Sequence, residues 1–321
     1  MEQAWTNIDE GGHPLLEARY LFLSAQQVVS HYIMPCLDIA DRDFEGGYKG
    51  DLLGPGERIW PECRQHVQAS GRHSYVGPAL SQMTDDMLTL ITPDPGTCWW
   101  GHDWEQIEVR LLAYLANDPV YIEAFARGED IHELNARAIF GPKGGPELEA
   151  LRRRFIKAFV FRLHYRGKAK NAGDIPGTRA LGLDVDRLIA ASQRYLLAHP
   201  ALPPYWQSLE AEADHTGGVR TFMGRFRKLT STFLAARNRE ACNHPMQGGV
   251  ADIYVTTALL VKAAAPWARL VYGSFDSQLW CIPDARRLEF AMLYQPIVER
   301  TFRINGHDVS FPADYKLREA A

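Results

Sequence analysis

No apolar run in these 321 residues is long enough to cross a bilayer. The opening stretch, MEQAWTNIDEGGH, is acidic and polar, which excludes a secretory signal and an Arg-rich transit peptide and makes an intracellular, cytoplasmic location the default. The five cysteines (36, 63, 98, 242 and 281) form no CxxC pair and are odd in number, which argues against a disulfide framework and against a structural zinc site. Internal repeats, low-complexity tracts and obvious linkers are missing, so repeat architectures drop out. A basic excess is missing too. The formal net charge is −4, and by itself gives no support to nucleic-acid binding.

What is present has ordinary globular proportions, 46% hydrophobic and 23% charged. The length suits one large domain or two packed subdomains. The charge is unevenly spread: Arg152, Arg153, Arg154, Lys157, Arg162, Arg166, Lys168 and Lys170 fall between Leu151 and Lys170 with no acidic residue among them. A local field of that sign attracts phosphate even on a mildly acidic protein. Hydrophobic periodicity predicts helices at 14–35, about 105–115, 120–126, 131–139, 147–165, 184–198, 204–213, 233–243, 247–263 and 284–299. CysTrpTrp at 98–100 reads as a buried strand, 217–229 as a hairpin turning at Gly224, and 268–283 as two strands around a tight turn. The mixture is α+β, a few antiparallel strands with a helical block between them.

Four constellations carry chemistry. Asp103 stands where a buried strand meets a helix. Its bland reading is a capping box with Gln106, and its functional reading is a metal-binding carboxylate. Asp276 occupies the tip of an apolar hairpin. Most such residues only form turns, but an unpaired carboxylate beside a buried sheet is costly without a cation. Two carboxylates from neighbouring strands suit a pair of Mg²⁺ ions. Arg153, Lys157, Phe161 and Tyr165 recur every four residues, so cations and aromatics share one helical stripe suited to a triphosphate and its sugar or base. Arg239, Asn243 and Gln247 repeat the spacing with polar donors, which suits a nucleic-acid backbone and minor groove and, taken alone, equally an exposed polar face.

Taken in order, these sets resemble the family A DNA polymerases. DWEQIEVR (103–110), followed by AspIleHis at 130–132, resembles that family's motif A and the segment after it. RRFIKAFVFRLHY (153–165) has the frame of motif B. GGVRTFMGRFR (217–227), RNREACNHPMQGGVADI (237–253) and SerGlyArgHisSer (70–74) resemble further family segments. The resemblance implies a right-hand polymerase fold, an antiparallel-sheet palm with an inserted helical fingers subdomain. The palm would be 50–118 and 230–321, the fingers 119–229, and 1–49 a helical segment like a thumb base. Most of the thumb and an exonuclease domain would be absent.

The resemblance also assigns roles. Asp103, Asp276 and the carbonyl of Trp104 would hold two Mg²⁺ ions, with Mn²⁺ as an alternative. Arg153, Lys157, His132 and Gln106 would meet the incoming nucleotide, and Lys157 would act as acid toward pyrophosphate. Phe161 would pack on the sugar, Tyr165 would lie by the templating position, and Glu108 would crowd a 2′-hydroxyl and select dNTPs. Arg72, Arg239, Asn243 and Gln247 would track the primer–template. The implied activity is DNA-directed DNA polymerisation, in a bacterial or viral setting. Departures stand beside the match. The family's motif C reads His-Asp-Glu where this chain has Phe275-Asp276-Ser277, and Arg162 and Arg166 replace glycines. An impaired nucleic-acid-binding remnant, and a subunit needing a separate thumb, exonuclease or processivity chain, therefore stay open beside an active enzyme.

Overall fold

Thr97–Trp104 (β3) is rich in aromatic residues and buried on both sides over most of its length, the pattern of a central strand. The structure, a computed structural model, describes residues 62–65, 67–76 and 91–319. The expected helix at 14–35 and the 1–49 segment lie outside the described residues. β1 (Glu62–Arg64) pairs with β2 (Ser74–Val76). After β3 come α1 (Ile107–Leu115), α2 (Pro119–Ala126), α3 (Ile131–Phe140), α4 (Pro146–His164), α5 (Val185–Ala198) and α6 (Leu202–Thr216). A hairpin of β4 (Gly218–Arg220) and β5 (Phe226–Lys228) follows, then α7 (Leu234–Ala264), β6 (Arg269–Ser274), β7 (Ser277–Pro283) and α8 (Arg287–Val298). The chain closes with β8 (Phe302–Ile304), β9 (His307–Val309) and β10 (Ala313–Glu319).

The described residues divide into two units. One comprises 108–249 and 304–307, the other the described residues before 108 together with 250–303 and 308–319. The second unit carries the antiparallel four-stranded sheet, in the order β10-β3-β7-β6. Its core sets Trp104, Trp280, Phe290, Tyr294 and Phe311 out of solvent, with Phe290 and Tyr294 stacked at 4.7 Å. Among the described residues no helix is long and apolar enough to cross a membrane.

The helical unit is built on α4. Phe155, Ile156, Phe159, Val160 and Leu163 bury one face of it, and the cations stay on the other. A buried polar network ties four helices together. Asp118 caps α2 by accepting from Tyr121 N at 2.9 Å, and lies 3.3 Å from His199 Nδ1. His199 Nε2 meets Asn135 Oδ1 at 2.9 Å, and Asn135 Nδ2 donates to the Tyr121 hydroxyl at 3.0 Å. That hydroxyl bonds Tyr195 at 2.9 Å, which bonds His164 Nε2 at 2.7 Å. Polar groups with no solvent access are costly unless mutually satisfied, so this chain of bonds fixes one packing of α2, α3, α4 and α5.

One expectation is corrected. The helices read at 233–243 and 247–263 are a single helix, α7, which passes through Pro245. Proline removes one N–H donor and crowds the preceding turn, which reads as a break in sequence. Here the glycines after it let neighbouring groups approach closely instead. A Cβ on Gly249 would stand 2.8 Å from Leu111 Cδ2. Strands β1, β2, β8, β9 and β10 were not legible beforehand.

Burial holds the His164 ring neutral and pushes its pKa down to about 3. The unfolded chain therefore takes up a proton from about pH 6.5 downward while the folded chain does not. The stability supplied by neutral His164 is complete above pH 6.5 and is lost as pH falls toward 3, at up to about 1.4 kcal/mol per pH unit. Urea unfolding across that window checks this, and His164→Gln is expected to have a shallower pH dependence than the native chain.

Candidate functional site

The residues singled out from sequence fall in both units, and each group is described within its own. In the sheet unit, β3 and β7 pair so that Asp103 stands opposite Ser277, and Trp104 N donates to the Asp276 carbonyl at 3.0 Å. The two aspartates therefore belong to adjoining strand ends at one end of the sheet. Asp103 is not at the capping position of α1. The strand continues through Trp104, and the residue before Ile107 is Gln106, which has φ +51. Asp103 is thus a residue of the strand end and not the N-cap of α1.

Asp276 and Phe275 form the two-residue turn between β6 and β7. Phe275 has φ +45, a conformation in which glycine is at home and phenylalanine is strained. Three contacts brace the turn. His73 Nε2 is 2.7 Å from the Gly273 carbonyl, Gly273 N donates to the Tyr75 hydroxyl at 3.1 Å, and the Arg72 guanidinium lies 4.8 Å from the centre of the Phe275 ring. Gly273 is required there, because an added Cβ would sit 1.8 Å from the Tyr254 hydroxyl. Arg72, expected along the primer–template, thus comes together with Asp276. Burial pushes the Asp276 carboxyl above the usual range, while its own backbone N–H and the Arg72 charge pull it back. Asp314, which the sequence reading did not single out, occupies the position opposite Asp103 on β10.

Do these residues fit the metal ions that the sequence implied? Among the described residues, no group of three or more His, Cys, Asp or Glu gathers. Mg²⁺ does not need one. It keeps several waters and is held by one or two carboxylates together with substrate phosphates. Two hard-oxygen carboxylates at one sheet end, one of them half-buried and reluctant to ionise alone, fit that demand.

In the helical unit, Asp130 caps α3 by accepting from His132 N at 2.8 Å and Glu133 N at 3.3 Å. Its other oxygen pairs with Arg153 of α4. His132 is buried and its pKa is lowered by that burial, with Asp130 opposing and Arg153 and Lys157 adding to the effect. The structure thus gathers His132, Arg153 and Lys157, and adds Asp130, which sequence reasoning had not named as a site residue. Farther along the stripe, Phe161 and Tyr165 are half-buried, with ring centres 6.2 Å apart. Each ring packs on the core and keeps an exposed side. The Tyr165 hydroxyl donates to the Glu108 carboxylate. On α7, Arg239 is exposed and Asn243 and Gln247 are half-buried, on one unbroken stripe. Arg225 of the β4–β5 hairpin donates to the Gly248 carbonyl at 2.8 Å, bracing that stripe.

Comparison with known proteins gives these groups a context. The model of DNA polymerase family A matches residues 6–270. DNA polymerase I of Geobacillus stearothermophilus is 31% identical over 274 residues, covering 78% of this chain and 30% of that protein. DNA polymerase I of Aquifex aeolicus is 29% identical over 212 residues, covering 64% of this chain and 35% of its own length. The solved POL domain of Pol1 from M. smegmatis, in complex with DNA primer-template and dNTP, superposes with a TM-score of 0.81 at 22% identity, over 99% of this chain and 55% of that one. The chain belongs to DNA polymerase family A, and its fold is that of the polymerase domain. It spans about a third of the length of these curated relatives.

The carboxylate pair makes a stability prediction. Without metal, Asp276→Asn removes a buried charge and is expected to leave Tm at pH 7 unchanged or raised. Mg²⁺ is expected to raise the Tm of the native chain and not that of an Asp103→Asn, Asp276→Asn double variant, as read by thermal unfolding with and without the ion.

Proposed function

We propose that this chain is a template-directed DNA polymerase that adds dNTPs to a primer 3′-hydroxyl. The observation that carries the reading is the β3–β7 register, which holds Asp103 and Asp276 at one end of the sheet. Family membership supports it. When bound, Mg²⁺ supplies a lowered pKa for the attacking hydroxyl and neutralises charge on the leaving pyrophosphate. Asp103 and Asp276 would hold two such ions, with the Trp104 carbonyl completing the shell of one.

The remaining residues bind and orient. Arg153 and Lys157 take the triphosphate, and the Asp130 pairing keeps the Arg153 fork extended until phosphate replaces the carboxylate. His132, held neutral by burial, donates a hydrogen bond, and Lys157 supplies a proton to pyrophosphate as it leaves. Gln106 adds a polar contact to the nucleotide. Phe161 and Tyr165 give the sugar and base apolar surfaces. Tyr165 also fixes the Glu108 carboxylate, and a fixed carboxylate rejects a 2′-hydroxyl better than a mobile one. Arg72, Arg239, Asn243 and Gln247 grip the primer–template. In the step itself the 3′-oxygen forms a bond to the α-phosphorus in line, the bond to pyrophosphate breaks, and the hydroxyl proton passes to solvent water. Positioning and charge supply most of the acceleration.

A second reading, a DNA-binding chain of impaired activity or one that needs a partner subunit, is favoured by Ser277. This residue stands where the family has a second carboxylate, and its hydroxyl is turned to the Ser274 carbonyl at 3.1 Å. Primer extension separates the two readings. The polymerase reading expects template-dependent incorporation with Mg²⁺ or Mn²⁺, a loss of roughly a thousandfold in Asp103→Asn or Asp276→Asn, and increased NTP incorporation in Glu108→Ala. No extension under either ion, with DNA binding intact, would favour the second. Incorporation persisting in the double aspartate variant would contradict the first.

A further inference from the structure

The last strand, β10, brings charged side chains to the face of the sheet that carries Asp103. Tyr315 lies on the other face, where its hydroxyl donates to Glu299 at 3.1 Å and its ring centre is 6.2 Å from that of Tyr294 on α8. His102 lies on that other face too, with Nδ1 2.6 Å from the Tyr294 hydroxyl. Side chains alternate along a strand, so Asp103, Asp314 and Lys316 all stand on the face away from α8. The register puts Asp314 opposite Asp103 and Lys316 opposite Gly101. Lys316 is thus the diagonal neighbour of Asp103, at a typical separation of about 7–8 Å that a long side chain spans.

Charge on this face is uneven. Asp103, Asp276 and Asp314 belong to one end of the sheet, so a phosphate approaching that end meets groups of its own sign. Two cations farther down the face are already engaged. Arg318 donates to the Ile91 carbonyl at 3.4 Å and lies 5.8 Å from the Trp99 ring centre, and Arg269 pairs with Asp94 at 3.3 Å. Lys316 stands between them and the carboxylates. It is exposed, and among the described residues no carboxylate pairs with it.

A compact ammonium on a flexible stem suits phosphate oxygens as a point charge, and it reaches them without a fixed geometry of its own. We propose that Lys316 holds a substrate phosphate beside Asp103 and Asp276. Two sources share this chemistry, the triphosphate of the incoming nucleotide and the phosphodiester next to the primer 3′-hydroxyl. This role rests on the polymerase reading of the sheet end, and it gives a part to β10, a strand to which that reading assigns none. A lysine that only offset the charge of Asp103 and Asp314 in the free protein would alter stability and leave substrate affinity unchanged.

The experiment measures equilibrium binding and needs no turnover. Fluorescence anisotropy over a series of salt concentrations gives the affinity for a labelled primer–template. Titration of dTTP with Mg²⁺ into the complex of a dideoxy-terminated primer, read by 2-aminopurine at the templating position, gives the affinity for nucleotide. Far-UV circular dichroism confirms that each variant is folded. Lys316→Ala is expected to weaken one of the two affinities roughly tenfold. If the primer phosphate is the source, primer–template binding weakens and its slope of log K against log salt falls by about one. If the triphosphate is the source, the Kd for dTTP rises and that for primer–template does not. Lys316→Arg is expected to recover most of the loss. Arg318→Ala makes the same charge change two residues farther from Asp103, and is expected to bind both ligands as the native chain does. Native affinities for both ligands in Lys316→Ala, or equal losses in Lys316→Ala and Arg318→Ala, would overturn the role of Lys316 and leave the polymerase reading standing. A native chain that binds neither ligand would overturn both.

Discussion

The pairing of β3 with β7 is the interaction on which the rest of this chain's chemistry depends. One backbone hydrogen bond, from Trp104 N to the Asp276 carbonyl, together with the Asp103–Ser277 register, converts two carboxylates 173 positions apart into neighbours. A one-residue slip would turn Asp103 to the other face of the sheet. The register is protected by what surrounds it. Gln278 is buried and donates to the Tyr254 carbonyl at 2.8 Å, Trp280 donates to Gln278 at 3.2 Å, and Gly273 is clamped by His73, Tyr75 and Tyr254. Apolar strands thus hold up a turn whose phenylalanine is strained and whose aspartate resists ionising.

In the helical unit the organising element is α4. Its buried face is apolar and its outer face cationic, and the polar network through His164 and Tyr195 fixes its packing against three other helices. Positioning of Arg153, Lys157, Phe161 and Tyr165 follows from that packing rather than from contacts among the four. Asp130 and Glu108 complete the arrangement by holding the first and last members of the stripe. A carboxylate paired in this way can be exchanged for a phosphate at modest cost, since one anion replaces another.

Much of this was legible in the sequence because it is periodic. The helix at 131–139, the stripe of α4 and the hairpin around Asp276 all follow from spacing and turn chemistry, and each lies where expected. What was not legible depends on tertiary partners. β10 has no mark in the sequence pattern, and becomes a strand because β3 offers it an open edge. Pro245 looked like a helix break, yet the packing around Gly248 and Gly249 carries α7 through it. Asp130 was not singled out, and its pairing with Arg153 appears only when α3 and α4 meet. Asp103 was ambiguous between cap and strand end, and only the register to β7 decides.

In the proposed reading Asp103 and Asp276 would together hold the catalytic ions, with Ser277 beside them. Mn²⁺ affinity in a double-mutant cycle of Asp103→Asn and Asp276→Asn, followed by the spin-resonance signal of free Mn²⁺, tests this most directly. If both carboxylates are needed to hold the metal, each single variant loses most of the affinity and the double variant loses little more, which is strong non-additivity. Losses that simply add, or a single variant that binds Mn²⁺ as the native chain does, would contradict a shared site at the end of this sheet.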